Sequence, residues 1–74
     1  MKMPNKRLLK KVFNCIKSYI EDKGYSPSYA EINKITGISY GYISTIVNSL
    51  ILLGYLERPR DRIIKLTGKD FKSE

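Results

Sequence analysis

The chain has 74 residues, which is enough for one domain with a small core. Its 14 Lys and Arg residues outnumber its 7 Asp and Glu residues, and the formal net charge of +7 favours a polyanionic partner, with nucleic acid ahead of an anionic membrane. One cysteine and no histidine exclude a disulfide framework and a zinc site of the usual spacing, so we expect a cytoplasmic protein with no metal and no cofactor.

The first predicted element is a helix over about residues 5–22. Its apolar residues recur at spacings of three and four and form one stripe: Leu8, Leu9, Val12, Phe13, Ile16, Tyr19 and Ile20. Gly24 stands where a left-handed C-terminal cap belongs. Lys10 and Lys11 interrupt the apolar core that a signal peptide would need here. The longest apolar run, residues 50–53, is too short to span a bilayer, so we expect no membrane partner.

The second predicted helix is short, over about residues 29–36. Ser28 and Glu31 have the spacing of a capping box, in which each side chain accepts a hydrogen bond from the other residue's backbone N–H. Ile32 and Ile35 are predicted to face inward, and Gly37 ends the helix at the turn before the next one.

A third helix is predicted over about residues 40–53, with Ser39 as its N-cap and Gly54 at its end. Its inward residues follow the i, i+3, i+4, i+7 pattern: Ile43, Ile46, Val47 and Leu50. We expect Ile43, six residues after the glycine of the turn, to wedge this helix against the second one.

Beyond the third helix the apolar period changes from 3.6 to 2. Residues 55–57 and 62–66 predict two short strands, and residues 58–61 predict the turn between them. Residues 67–74 are polar apart from Phe71 and are expected to form a flexible tail. We therefore expect one domain over residues 1–74, with its core at about residues 5–66.

Three helices followed by an arginine-rich hairpin predict a mainly α fold with a small β-hairpin, the three-helix winged helix-turn-helix. The stretches GYSPSYAEI, KITGIS and VNSLILLGYLE also resemble the DNA-binding domain of the LexA repressor family, over about residues 8–66. The resemblance implies that the helix after the turn enters the major groove and that the wing touches the DNA backbone. Asn33 departs from the pattern, because helix-turn-helix proteins usually have a small Ala there, and a buried Asn needs a hydrogen-bond partner.

The candidate interface combines an uncharged third helix with basic segments on either side. Residues 1–23 carry a net charge of +5, residues 24–54 carry none, and residues 55–74 carry +2. The outward arc of the third helix offers groups that donate to phosphates or base edges: Ser39, Tyr40, Gly41, Tyr42, Ser44, Thr45 and Asn48, with Ser49 at its margin. Phosphate contacts are predicted from the first helix and the wing: Lys6, Arg7, Lys10, Lys11, Arg58, Arg60 and Arg62.

These features predict a DNA-binding protein, a small transcriptional regulator that favours duplex DNA. The arc lacks the Arg or Lys that most often grips guanine, so we expect specificity that is modest, A·T-leaning or dependent on DNA shape. No histidine, carboxylate cluster or phosphate-cradling glycine loop is present, so we expect no catalytic residues and no enzyme. A homodimer stays open, as does association with the nucleoid.

The alternative function is a winged-helix accessory module of a replication or other DNA-processing complex. In that role Tyr40 and Tyr42 would stack on the bases of single-stranded DNA or anchor a protein partner. Three further tyrosines, Tyr25, Tyr29 and Tyr55, are predicted to be half-buried packing residues rather than stacking platforms.

Overall fold

The computed structural model describes residues 4–60 and 63–71. Three helices and a two-stranded antiparallel sheet follow one another along the chain: α1 (Lys6–Lys23), α2 (Tyr29–Thr36), α3 (Tyr40–Leu52), β1 (Leu56–Arg60) and β2 (Ile63–Leu66). The chain bends by 106° between α2 and α3, as expected of a helix-turn-helix. The predicted winged helix-turn-helix fold is therefore confirmed.

Helix α1 begins and ends at residues whose side chains and backbones suit those positions. The Asn5 side chain accepts a hydrogen bond from the Leu8 N–H at 2.9 Å, which satisfies one of the free donors of the first turn. Gly24 closes the helix in the left-handed conformation (φ 85°), where its N–H donates to the Ile20 carbonyl. Four residues of the apolar stripe are buried and the other three are half-buried.

Helix α2 and the turn after it are held by short-range hydrogen bonds. Ser28 Oγ accepts from the Glu31 N–H at 3.1 Å, which is the serine half of the predicted capping box. Gly37 adopts a φ of 77° and ends the helix. The Asn33 side chain donates to the Ile38 carbonyl at 2.7 Å, so the half-buried amide has the partner it was expected to need.

Of the two isoleucines predicted to face inward from α2, only Ile32 does so. Ile32 is fully buried, whereas the side chain of Ile35 is 58% exposed. Three helical steps of about 100° turn Ile35 about 60° away from Ile32 around the axis. That rotation carries Ile35 beyond the strip that the neighbouring helices cover, and the prediction for Ile35 is wrong.

One apolar core joins the three helices to the hairpin. Its members are Leu9, Val12, Phe13, Ile16, Ile32, Ile43, Ile46, Val47, Leu50, Leu56 and Ile64. Ile43 is fully buried, as expected of the residue that wedges α3 against α2. Cys15 is half-buried at the edge of this core, and burial raises the pKa of its thiol.

The hairpin differs from its prediction, because residues 58–60 of the expected turn belong to strand β1, while Asp61 lies outside the described residues. Leu56 pairs with Leu66 and Glu57 with Lys65, but the next pair is Arg60 with Ile63. Three steps along β1 therefore oppose two along β2, which is a one-residue bulge. The bulge accommodates a proline, which has no N–H to donate, in the middle of the strand.

Residues 67–71, expected from the sequence to fray, pack against the C-terminal end of α3. Thr67 Oγ1 donates to the Gly54 carbonyl at 2.7 Å, and Lys69 Nζ donates to the Leu53 carbonyl at 2.9 Å. Carbonyls at the end of a helix lack partners within it, and a cation there also complements the helix dipole. The Lys69 bond thus caps α3, and the Thr67 bond holds the segment to the glycine that follows the cap. Residues 72–74 of the predicted tail lie outside the described residues.

An aromatic cluster and an ion pair bring the same segment onto α1. The ring of Phe71 stacks on Tyr55 with centroids 4.1 Å apart and 7° between planes. It also meets Phe13 of the core edge-on at 5.4 Å. The ammonium of Lys17 on α1 pairs with the carboxylate of Asp70, so residues 67–71 contact both α1 and α3.

Candidate nucleic-acid interface

The leading end of α3 presents two tyrosines to solvent. Ser39 caps the helix, and its Oγ accepts from the Tyr42 N–H at 3.4 Å. The side chain of Tyr40 is 54% exposed and that of Tyr42 is 39% exposed. Both rings are therefore available to a partner at the end of α3 where the backbone N–H groups point outward.

A polar stripe runs along the outward face of α3 from this end. Gly41, Thr45 and Asn48 follow one another at spacings of four and three, and Ser44 flanks them half-buried. No atom lies within 4 Å of the position that a Cβ on Gly41 would occupy, so the backbone there is open to close approach. Asn48 is exposed, which leaves its amide accessible to a base edge or phosphate.

Ser49, placed at the margin of this arc by the sequence, is turned away from it. Its side chain is buried, and Oγ donates to the Thr45 carbonyl one turn earlier at 2.9 Å. The prediction for Ser49 is therefore wrong. Thr45 itself stays half-buried on the arc, with Oγ1 donating to the Gly41 carbonyl at 3.3 Å.

The outward stripe ends in an apolar residue, Leu52, which the sequence prediction treated as possible exposed apolar surface but did not place among the DNA-contacting residues. Leu52 lies four residues after Asn48, on the same side of the helix, and its side chain is 82% exposed. The i, i+4, i+7, i+11 spacing from Gly41 was the signal that could have found it.

The predicted phosphate-contacting residues lie at the surface on α1 and β1. Lys6, Arg7 and Lys11 are exposed and Lys10 is half-buried on α1, while Arg58 and Arg60 are exposed on β1. The two described ion pairs join Lys17 to Asp70 and Lys23 to Asp22. Neither pair neutralises a wing arginine. Arg62, also predicted to contact phosphate, lies outside the described residues.

One hydrogen bond joins the wing to the helix-turn-helix on the protein surface. Arg58 Nη2 on β1 donates to Tyr29 Oη at the start of α2, at 2.7 Å. By contrast, no described hydrogen bond or ion pair joins Arg7 or Lys10 to the outward face of α3. The wing arginine Arg58 is therefore joined to the helix-turn-helix by a hydrogen bond. Arg7 and Lys10 lie on α1, and no described bond joins them to the outward face of α3.

The three tyrosines predicted to pack fall into two groups. Tyr29 and Tyr55 are half-buried against the core, as expected. Tyr25 is exposed, and its ring meets that of Tyr19 edge-on at 5.7 Å. Tyr25 follows the left-handed Gly24, where the chain leaves α1, so its ring reaches only the outer edge of that helix.

The described residues offer neither a metal site nor a single membrane-spanning helix. In residues 4–60 and 63–71, no group of three or more His, Cys, Asp or Glu side chains comes together to hold a metal ion. Within the same ranges no single helix is long and apolar enough to cross a membrane. The bent pair α2 and α3 meets that test by length and composition only.

One comparison with known proteins finds a match. The family model of the LexA DNA binding domain matches residues 6–62, which are 57 of the 74 residues. The match takes in all three helices and β1 and ends before β2 begins. None of the curated proteins compared with the chain matches it.

Proposed function

The chain belongs to the LexA DNA-binding domain family, and from this membership we propose that it is a transcriptional regulator that places α3 in the major groove of duplex DNA and its wing on the backbone. DNA binding follows from the family itself, whose fold is non-catalytic. The proposal concerns which elements bind which part of the duplex.

The outward face of α3 is the observation that carries the major-groove assignment. An α-helix fits that groove, and the N-terminal part of a recognition helix contacts the base edges. Here that part presents Tyr40, Gly41 and Thr45 at the surface, followed by Asn48. An Asn amide pairs bidentately with adenine, whereas none of these residues supplies the Arg or Lys that grips guanine. The expected preference is therefore for A·T-containing sites.

The basic residues of α1 and β1 supply attraction that does not depend on sequence. Each phosphate that a Lys or Arg neutralises releases counterions, so affinity falls as salt rises. Arg58 and Arg60 are exposed on the wing, and Arg7 and Lys10 lie on α1. In this assignment these residues position the duplex, and the uncharged face of α3 discriminates among sequences.

Two substitutions test whether α3 discriminates among sequences while the basic residues supply attraction that does not depend on sequence. A preferred site is first selected from random duplexes, and affinities are then measured by fluorescence anisotropy across a salt series. Asn48→Ala should reduce discrimination between that site and one with a replaced A·T pair by about 1–3 kcal/mol. Arg60→Ala should weaken binding to every duplex alike and reduce the slope of log K against log salt by about 0.9.

Matched controls lie away from the proposed interface. Asn14 is exposed on α1, as Asn48 is on α3, and Lys23 is exposed at the far end of α1. Asn14→Ala and Lys23→Ala should leave preference and salt slope unchanged. The assignment fails if Asn48→Ala keeps the full preference of the wild-type chain, or if Arg60→Ala changes preference without changing the slope.

A second candidate function is favoured by the apolar and aromatic exposure of α3. The side chains of Tyr40, Tyr42 and Leu52 are far more exposed than those of the apolar core residues. Aromatic faces stack on unpaired bases without regard to sequence. The chain would then serve as a single-strand-binding or protein-binding accessory module. Tighter binding to random single strands than to duplexes, lost in Tyr40→Ala, would establish this role in place of the first.

The oligomeric state belongs to the same proposal. Helix-turn-helix regulators commonly bind as dimers to two half-sites about one helical turn apart, and we propose such a homodimer on DNA for this chain. Sedimentation of the complex with the selected duplex should give two chains per site; one chain per site would contradict it.

A further inference from the structure

The contact between Arg58 and Tyr29 joins two parts of the chain that are 29 residues apart. Arg58 lies in β1 within the bulged stretch between Glu57 and Arg60. Tyr29 is the first residue of α2, directly after its N-cap. The phenol ring is half-buried against the core, so its hydroxyl is a fixed point at the surface to which the arginine is tied.

A second bond joins strand β2 of the wing to the same segment. The Ile64 N–H on β2 donates to Ser26 Oγ at 3.3 Å, three residues before α2 begins. Together with the Arg58–Tyr29 bond, it attaches both strands of the hairpin to the chain around the start of α2. The two bonds therefore hold the wing against the helix-turn-helix in the structure without a partner.

The donors in this contact are only partly used. A guanidinium has five N–H groups and a tyrosine hydroxyl has one proton to donate. Arg58 uses one N–H on Tyr29, and the hydroxyl accepts in that bond, so its own proton stays available. Among residues 4–60 and 63–71, no carboxylate pairs with Arg58 and no acceptor takes the Tyr29 proton.

We propose that Tyr29 is a positioning residue for Arg58, and that the two side chains together bind a single DNA phosphate at the junction of α2 and the wing. The inference rests on the proposed duplex-binding function and deepens it. Arg58 contributes the charge, and the Tyr29 hydroxyl holds the guanidinium in place while donating its own proton to the same phosphate. A phosphate oxygen accepts several such donors at once.

The advantage of this arrangement is preorganisation. A free arginine on an exposed strand samples many rotamers and loses that freedom when it binds. Tyr29, with two side-chain torsions and a packed ring, bears little of this cost. Arg60, two residues along the same strand, has no such tether among the described hydrogen bonds. Arg58 is therefore the better-positioned of the two described wing arginines.

The experiment is a double-mutant cycle on duplex affinity. Tyr29→Phe removes only the hydroxyl, Arg58→Gln removes the charge, and the double variant combines them. Binding to a preferred and a random duplex is measured across a salt series, with thermal unfolding of each variant as a check on folding. Tyr25→Phe, at an exposed tyrosine with no arginine partner among the described contacts, is the matched control.

The proposal expects a coupled pattern. Tyr29→Phe should weaken both duplexes equally, by roughly three- to tenfold, with an unchanged melting temperature. Arg58→Gln should weaken them further and reduce the salt slope by about 0.9. In the Arg58→Gln background, Tyr29→Phe should have a much smaller effect than it has alone.

Three outcomes overturn the inference. The first is wild-type affinity in Tyr29→Phe, and the second is an equal effect of Tyr29→Phe with and without Arg58. The third is a weakening that merely follows a lower melting temperature. Each of these leaves duplex binding by the wild-type chain intact. Failure of the wild-type chain to bind duplex in a salt-dependent way would instead refute the proposed function itself.

Discussion

Replacing Phe71 with alanine should destabilise the domain by about 2 kcal/mol, although the residue lies beyond the part of the chain that the family model matches. Truncation of a fully buried Phe costs about 3–5 kcal/mol. Phe71 is half-buried, which halves that figure to about 1.5–2.5 kcal/mol. Its ring contacts with Tyr55 and Phe13 are worth about 0.5–1.5 kcal/mol per pair beyond area, and they keep the estimate from falling lower.

A loss of this size is large for so small a domain. At about 0.05–0.15 kcal/mol per residue, a chain of 74 residues has roughly 4–11 kcal/mol of stability in total. A loss of about 2 kcal/mol corresponds to a fall of roughly 8–16 °C in the melting temperature of a domain of this size. Thermal and urea unfolding, followed by circular dichroism, measure both quantities.

Two further variants show whether the loss comes from the ring contacts. Phe71→Leu keeps most of the apolar area but removes the aromatic geometry, and it should cost less than Phe71→Ala. Leu52→Ala removes a large side chain that is 82% exposed and should change stability by no more than about 0.5 kcal/mol. If Phe71→Ala unfolds within about 0.5 kcal/mol of the wild-type chain, residues 67–71 do not belong to the folded domain.

Two other predictions concern polar contacts. The hydrogen bond from Lys17, with its charge, holds the pKa of Asp70 below its usual range, so this contribution to stability is complete above the unfolded-state pKa of about 3.9 and is lost as pH falls through the folded value. Urea unfolding between about pH 5 and pH 2 should show a shallower loss in Asp70→Asn than in the wild-type chain; equal losses would contradict this. Asn33→Ala should cost about 1 kcal/mol, because the Ile38 carbonyl loses its donor. Asn33→Asp should cost more, because it loses the donor as Asn33→Ala does and also places a half-buried negative charge beside the Ile38 carbonyl oxygen; the reverse order in unfolding experiments would exclude this explanation.

The ends of the helices could be predicted because their causes are local. Gly24 and Gly37 adopt the left-handed conformation that ends a helix, and Ser28 and Ser39 accept hydrogen bonds within their own first turns. In each case the residues that decide the boundary lie within four positions of one another. A pattern of such short range is visible in the sequence itself.

The hairpin could not be predicted as well, because its register depends on residues that are distant in sequence. A turn over residues 58–61 follows from local propensity, since arginine, proline and aspartate all suit a turn. In the structure the pairing of Leu56 with Leu66 and the bulge before Arg60 extend β1 through Pro59. Burial of Leu56 and Ile64 in the core outweighed the local preference for a turn and set the register of β1 against β2.

Tertiary contacts account for the remaining differences. Phe71 meets Phe13, 58 residues earlier in the chain, and Arg58 meets Tyr29, which is 29 residues earlier. Neither pair leaves a periodic pattern. The one signal for the first was a single aromatic residue in an otherwise polar segment. For the candidate interface, the polar face of α3 was predicted from the sequence, whereas the contact between the wing and α2 is visible only in the structure.

The neutrality of α3 in a basic chain has a physical explanation within the proposed function. Coulombic attraction to phosphate is the same for every sequence, so charge on the recognition face would add affinity for all sites along with the intended one. The described cations that are predicted to contact phosphate lie instead on α1 and on the wing, where Tyr29 ties Arg58 to the start of α2. The outward face of α3 then contributes mainly hydrogen bonds and shape, which differ from one sequence to another. In the proposed function, affinity and discrimination therefore arise from different elements of the fold, and a change in one need not alter the other.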